Sequence, residues 1–276
     1  MLPKNEWLIL LAPLISYGMA RLMLPNLLKL IAEAGFVRPN FRGDCIPLGA
    51  GLLFFLSVLL PAGLLIFSFP AYRTAGFLYL FVFSTMTLLG LVDDIFGSRA
   101  DSGLKGHLKK MLRGQLTTGG LKLAAGGVMS LVAAAAVSQE WQSILTNTLV
   151  LALSINAINL LDLRPGRAGK GFLLGGLLLC LGGWPSFHLI WLVVAAAALL
   201  AYLPTDLRAG AMMGDTGSNA LGATIGLTAV LVLPASVKTG YLIFLICFHL
   251  LTEKYSLTKI IEKNKMLNYL DRLGRS

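Results

Sequence analysis

The chain has 276 residues, of which 56% are hydrophobic and only 13% charged, and its mean hydropathy is +0.77. A soluble domain carries roughly 25% charged residues, so this composition excludes an ordinary soluble fold and points to a polytopic membrane protein. The net charge of +10 belongs in such a chain to loops that face anionic lipid or phosphate, not to a nucleic-acid surface.

Apolar stretches predict nine spans, at 7–25, 46–68, 74–92, 119–138, 143–161, 170–184, 186–204, 218–236 and 239–252. The first stretch has neither a basic leader nor an A-x-A-like cleavage site and is read as a retained span. Nineteen of the 23 Lys and Arg fall in or beside the loops after spans 1, 3, 5, 7 and 9; Lys4, Arg73 and Lys238 lie on the other side, with Arg21 inside span 1. This positive-inside bias predicts an outside N-terminus and a cytoplasmic C-terminus. The expected fold class is therefore all-α, a membrane helical bundle of about nine transmembrane helices over residues 1–252, with a cytoplasmic tail at 253–276. In the tail, Leu257, Ile260, Ile261, Leu267 and Leu270 stand against lysines, the pattern of an amphipathic helix lying on the inner leaflet.

Four pieces along the chain bear on chemistry. RPNFRGDCIPLGAGLL at 38–53 is a basic, glycine-rich approach to span 2 and is uninformative alone. GLVDDIFGSR at 90–99 closes span 3 with two adjacent carboxylates, Asp93 and Asp94. Neighbours on a helix point about 100° apart, so one can face a central site while the other engages a neighbouring element. A cluster of Lys105, Lys109 and Lys110 follows, suited to an anionic headgroup or to anionic lipid.

In LSINAINLLDLRPGRAGK at 153–170, Asn156 and Asn159 share one helix face and Asp162 continues the stripe. Such amides suit a nucleobase, a ribose or a metal on one reading and helix–helix amide bridging on another. Arg164, Arg167 and Lys170 then form a compact cationic turn whose guanidinium forks suit phosphate oxygens. Asp206, between Thr205 and Arg208, reads as a solvated loop-end residue. MMGDTGSNALG at 212–222 places Asp215 at the start of span 8, where free backbone N–H groups and a hard oxygen ligand together suit phosphate and Mg²⁺. A plain N-cap is the structural alternative.

Taken in this order, the pieces resemble the polyprenyl-phosphate N-acetylhexosamine-1-phosphate transferases, over about residues 36 to 235. Asp93-Asp94 matches the DD pair of that family, Asn156 to Asp162 its NAxNxxD element, and Asp215 in GDTGS its Mg²⁺-ligand aspartate. The resemblance implies transfer of a sugar 1-phosphate from a UDP-sugar to undecaprenyl phosphate, with release of UMP, at the cytoplasmic face of the cell membrane. It implies Mg²⁺ as cofactor on Asp215 and Asn159, and Asp93 and Asp94 as catalytic, whether by orienting the acceptor, taking a proton or acting as nucleophile. Asn156, Asn159, Asp162, Arg164, Arg167, Lys170, Lys105 and Lys109 are then the expected substrate contacts, and a homodimer is expected by analogy.

Two departures are visible. Asp162 is followed by a basic Leu-Arg-Pro-Gly-Arg turn where the family often has a second carboxylate, and the late cytoplasmic loop carries no histidine-rich stretch. The competing functions are a family member that binds polyprenyl phosphate without transferring anything, and a transporter. Transport is disfavoured because the carboxylates stand at span ends and not near the midplane.

Overall fold

The computed structural model describes residues 6–97 and 117–275. Among these the protein is almost entirely helical: α1 (Trp7–Glu33), α2 (Leu52–Ser68), α3 (Arg73–Phe96), α4 (Thr118–Ala136), α5 (Trp141–Leu161), α6 (Arg167–Gly183), α7 (Ile190–Leu207), α8 (Gly214–Val232) and α9 (Ala235–Lys254) are long, and α10 (Leu257–Lys263) and α11 (Lys265–Arg272) are short. Six of the long helices are apolar and long enough to cross a membrane, and α2 is a shorter apolar helix. The fold is an all-α polytopic membrane bundle, with a long helix over each of the nine predicted spans.

The second span starts later than expected. Residues 45–47 form one strand of a small antiparallel hairpin, β1 (Val37–Pro39) with β2 (Cys45–Pro47), and α2 begins only at Leu52. Pro47 and the left-handed Gly49 delay the helix, while Ala50 N and Gly51 N donate to Met212 O and Met213 O across the bundle.

Helix α8 is the axis of the molecule, and nearly every residue from Gly214 to Val230 is buried. Lipid supplies no hydrophobic drive between helices, so close backbone approach at small residues must hold such a core. Gly222 provides it: a Cβ there would sit 2.6 Å from Ile155 Cα and 2.8 Å from Ile155 O of α5. On its other side α8 faces α3, where the Tyr79 hydroxyl lies 3.4 Å from Thr224 Oγ1 and the Tyr79 ring stacks on Trp191 of α7. Around this axis α1 packs on α2 and α7, α4 on α3 and α5, and α9 on α5. Ser154 of α5 and Tyr241 of α9 share a 2.9 Å hydrogen bond.

The C-terminal ends of α3, α5 and α7 and the N-terminal ends of α4, α6 and α8 meet at one end of the bundle, together with the hairpin. That end carries the polar chemistry. The tail helices α10 and α11 also fold back onto it, and Ile261 of α10 is buried there.

Candidate active site

A cavity of about 430 Å³ opens at this end, lined by Asp93, Asp94, Asp162, Asp206 and Asp215 together with Arg38 and Arg164. The acidic residues singled out in three separate loops thus converge on one space. Asp206 does as well, and the reading of it as a solvated loop residue is corrected: it is 4% exposed, and its carboxylate accepts the Gly166 N–H at 3.0 Å. That bond holds the left-handed Gly166 (φ +73°) at the start of α6 and so fixes the turn carrying Arg164.

The adjacent aspartates divide their work as their helical angle requires. Asp94 reaches from α3 to the first turn of α8, accepting Asp215 N and Thr216 N at 2.9 Å each and the Thr216 hydroxyl at 2.6 Å. It acts as an N-cap supplied by another helix, since α8 has no side-chain cap of its own. Gly214, at φ +69°, is required here, because a Cβ would collide with the Asp94 carboxylate. Asp93 instead meets the ammonium of Lys122, 2.9 Å away, and the same ammonium pairs with Asp215.

Lys122 thus belongs to the site, whereas by sequence it contributes only to the positive-inside bias. Its signal was legible, because it is the single charged residue of α4, one turn into an otherwise apolar helix. An ionisable side chain in that setting is a functional candidate by default. The Thr117 hydroxyl caps this helix by accepting Gly120 N at 3.0 Å, so the lysine is held at a defined height.

Asn156 and Asn159 do not line the cavity. The Asn159 amide donates to Ser218 Oγ at 3.0 Å, and Ser218 Oγ donates to Gly214 O at 3.0 Å, which ties the end of α5 to the start of α8 immediately behind Asp215. Asn219 next to it is fully buried, and neither amide atom has a hydrogen-bond partner among the described residues. Asp162 follows the end of α5; burial and the nearby charges of Asp206, Asp215 and Asp94 push its carboxyl well above the usual carboxylate range.

The expected cationic clamp is split. Arg164 lines the cavity, with its guanidinium 5.1 Å from the centre of the Phe41 ring. Arg167 and Lys170 are engaged by the tail: Arg167 forms a two-pronged pair with Asp271 (2.8 and 3.0 Å), and Lys170 Nζ donates to Leu270 O and Asp271 O at the end of α11. Arg275 pairs with the same Asp271 and donates to Pro165 O at 2.9 Å. Burial would raise the Asp271 carboxyl, but its hydrogen bonds to Arg167 and Arg275 bring it below the usual range. Lys105 and Lys109 lie outside the described residues.

Among the described residues no three His, Cys, Asp or Glu are gathered as a metal site. The donors nevertheless fit a hard cation. Asp93 and Asp215 offer carboxylate oxygens to a single point, and the Lys122 ammonium stands between them as a tethered cation.

Carboxylates, a tethered cation and arginines thus surround one cavity at the end of a membrane bundle. Residues 76–233, more than half of the chain, match the glycosyl transferase family 4 profile, and the chain belongs to that family, which includes phospho-N-acetylmuramoyl-pentapeptide transferase and the UDP-HexNAc:polyprenol-phosphate transferases. It is thus a membrane sugar-phosphate transferase of the kind that acts on polyprenyl phosphate. No curated protein matches the chain.

Proposed function

We propose that the protein transfers N-acetylhexosamine 1-phosphate from a UDP-sugar to undecaprenyl phosphate at the cytoplasmic face of the cell membrane, releasing UMP. The observation that carries this reading is the convergence of Asp93, Lys122 and Asp215 beside an arginine-bearing cavity. An acceptor phosphate oxygen attacks the β-phosphorus, the bond from that phosphorus to the bridging oxygen breaks, and UMP leaves with the bridging oxygen. A phosphate monoester has a second pKa near ~6, so the acceptor is mostly dianionic at neutral pH and needs no general base. The obstacle is bringing two polyanions together.

The residues meet that obstacle in order. Arg38 and Arg164 draw the diphosphate to the cavity wall. Lys122 balances the carboxylates and offers N–H donors to a phosphoryl oxygen. Asp93, the member of the pair not spent on capping, faces the acceptor and orients it, while Asp94 acts as a positioning residue by fixing the start of α8. Asp215 and Asp93 would hold Mg²⁺, which would supply charge neutralisation on the diphosphate, while Asn159, expected as a second ligand, instead braces the start of α8 through Ser218.

The test is UMP release by the purified protein with undecaprenyl phosphate and a UDP-N-acetylhexosamine, with and without EDTA, beside Asp215→Ala. Release that needs metal and falls at least ~100-fold in the variant supports the reading, since a group acting in the transition state is worth that much. Release that survives both changes contradicts it.

A further inference from the structure

Beside the carboxylate cavity lies a second one of about 340 Å³, walled by the hairpin loop, the Arg164 turn and the tail. Five arginines line it against two carboxylates, Glu262 and Asp271. Arg167 and Arg275 are satisfied by Asp271, whereas Arg164 and the exposed Arg272 form no ion pair among the described residues. The two cavities share Phe41 and Arg164 and are therefore contiguous. None of the aspartates that line the first cavity lines the second. Converging guanidinium groups repel one another, and a planar anion accepted in their forks removes that repulsion.

We infer that the second cavity receives an anionic substituent, a carboxylate or a further phosphate, carried by the sugar of the donor. This rests on the transferase reading above. The diphosphate already has Lys122, Arg38 and Arg164 at the first cavity, so Arg272, beyond the shared wall, is left for a different charge on the same molecule. The site thereby selects acidic over neutral nucleotide sugars, and Arg272 is a specificity residue.

The experiment uses the full chain with undecaprenyl phosphate and compares UDP-N-acetylglucosamine with two acidic counterparts, UDP-N-acetylglucosaminuronic acid and UDP-N-acetylmuramic acid. UMP release gives kcat/KM, and calorimetric titration gives Kd independently of turnover. At least one acidic donor should exceed the neutral one by about tenfold in kcat/KM, through KM, and Arg272→Gln should bring that ratio close to one, as loss of one charge-assisted hydrogen bond does. Equal or better use of the neutral donor by the unaltered protein overturns the inference. So does a proportionate loss for all donors in Arg272→Gln, which assigns the arginines to the shared diphosphate. Activity in vesicles that rises with phosphatidylglycerol content, with that rise abolished by Arg272→Gln while the donor ratio stays fixed, assigns the cavity to a lipid headgroup and also overturns it. Failure to release UMP from any donor removes the transferase reading, and this inference with it.

Discussion

Asp93 and Asp94 are chemically identical neighbours with separate tasks, and substitution separates them. Asp94→Ala removes three hydrogen bonds from the first turn of α8 and should cost about 1–3 kcal/mol, read as a drop of several degrees in the thermal midpoint in detergent. Asp93→Ala leaves that cap intact and should abolish transfer with a much smaller change in midpoint. If both variants lose stability equally, the division of roles is wrong. Lys122→Met leaves Asp93 and Asp215 facing each other without the tethered cation, so its midpoint should fall in EDTA and recover with Mg²⁺ by more than the unaltered protein gains. A midpoint insensitive to Mg²⁺ would contradict a cation balance between Asp93 and Asp215.

Asp162 adds a pH dependence of defined sign. Its folded carboxyl lies above the usual range of about 4, so the folded state keeps a proton that the unfolded chain has already lost. Its contribution is full below that range and is lost as pH rises through the folded value. Thermal midpoints of the metal-free protein should therefore decline above the ordinary carboxylate range, and Asp162→Asn should flatten the decline. Asp271 behaves in the opposite sense: its lowered carboxyl stabilises at neutral pH, and that contribution is lost only in acid below the usual range.

At the scale of elements, two contacts decide how the site is built. The α5–α8 approach depends on Gly222, where any side chain would meet Ile155 backbone 2.6 Å away. Gly222→Val should therefore yield little monodisperse protein on size-exclusion chromatography, since overpacking of a core displaces backbone. The second contact is the docking of α11 through Asp271 onto Arg167. Removing one partner of a buried, bidentate pair leaves the other uncompensated, so Asp271→Asn should free the tail. Hydrogen exchange over 255–275 would then rise several-fold while α8 stays protected. Unchanged exchange there would show that the apolar contacts of α10, chiefly Ile261, hold the tail alone.

At the scale of the molecule, the parts governed by local pattern were legible in the sequence and the long-range pairings were not. Among the described residues a long helix stands over each of the nine apolar runs, and six of them are long and apolar enough to cross a membrane, because length and hydropathy act almost independently of partners. Asp93, Asp94, Asp162 and Asp215 were recognisable because carboxylates at span ends are costly and ordered motifs surround them. Asp206 lacked such a motif, and only the fold brings it against Gly166, forty positions away in sequence. Lys122 is marked only by standing alone as a charge in an apolar helix, and its partners Asp93 and Asp215 lie 29 and 93 positions away in sequence. Arg167 and Lys170 looked free for phosphate because nothing local in the tail announces that Asp271 and the last carbonyls of α11 return to claim them.

In the proposed reaction the sugar moves together with its phosphate. This is tested most directly with a UDP-N-acetylhexosamine labelled with ³²P at the β-phosphorus, incubated with the protein and undecaprenyl phosphate and then partitioned between butanol and water. The label should pass into the lipid fraction in step with unlabelled UMP in the aqueous one. Label retained in aqueous UDP while the sugar reaches the lipid would mean that the sugar moves without its phosphate, and would rule out sugar 1-phosphate transfer.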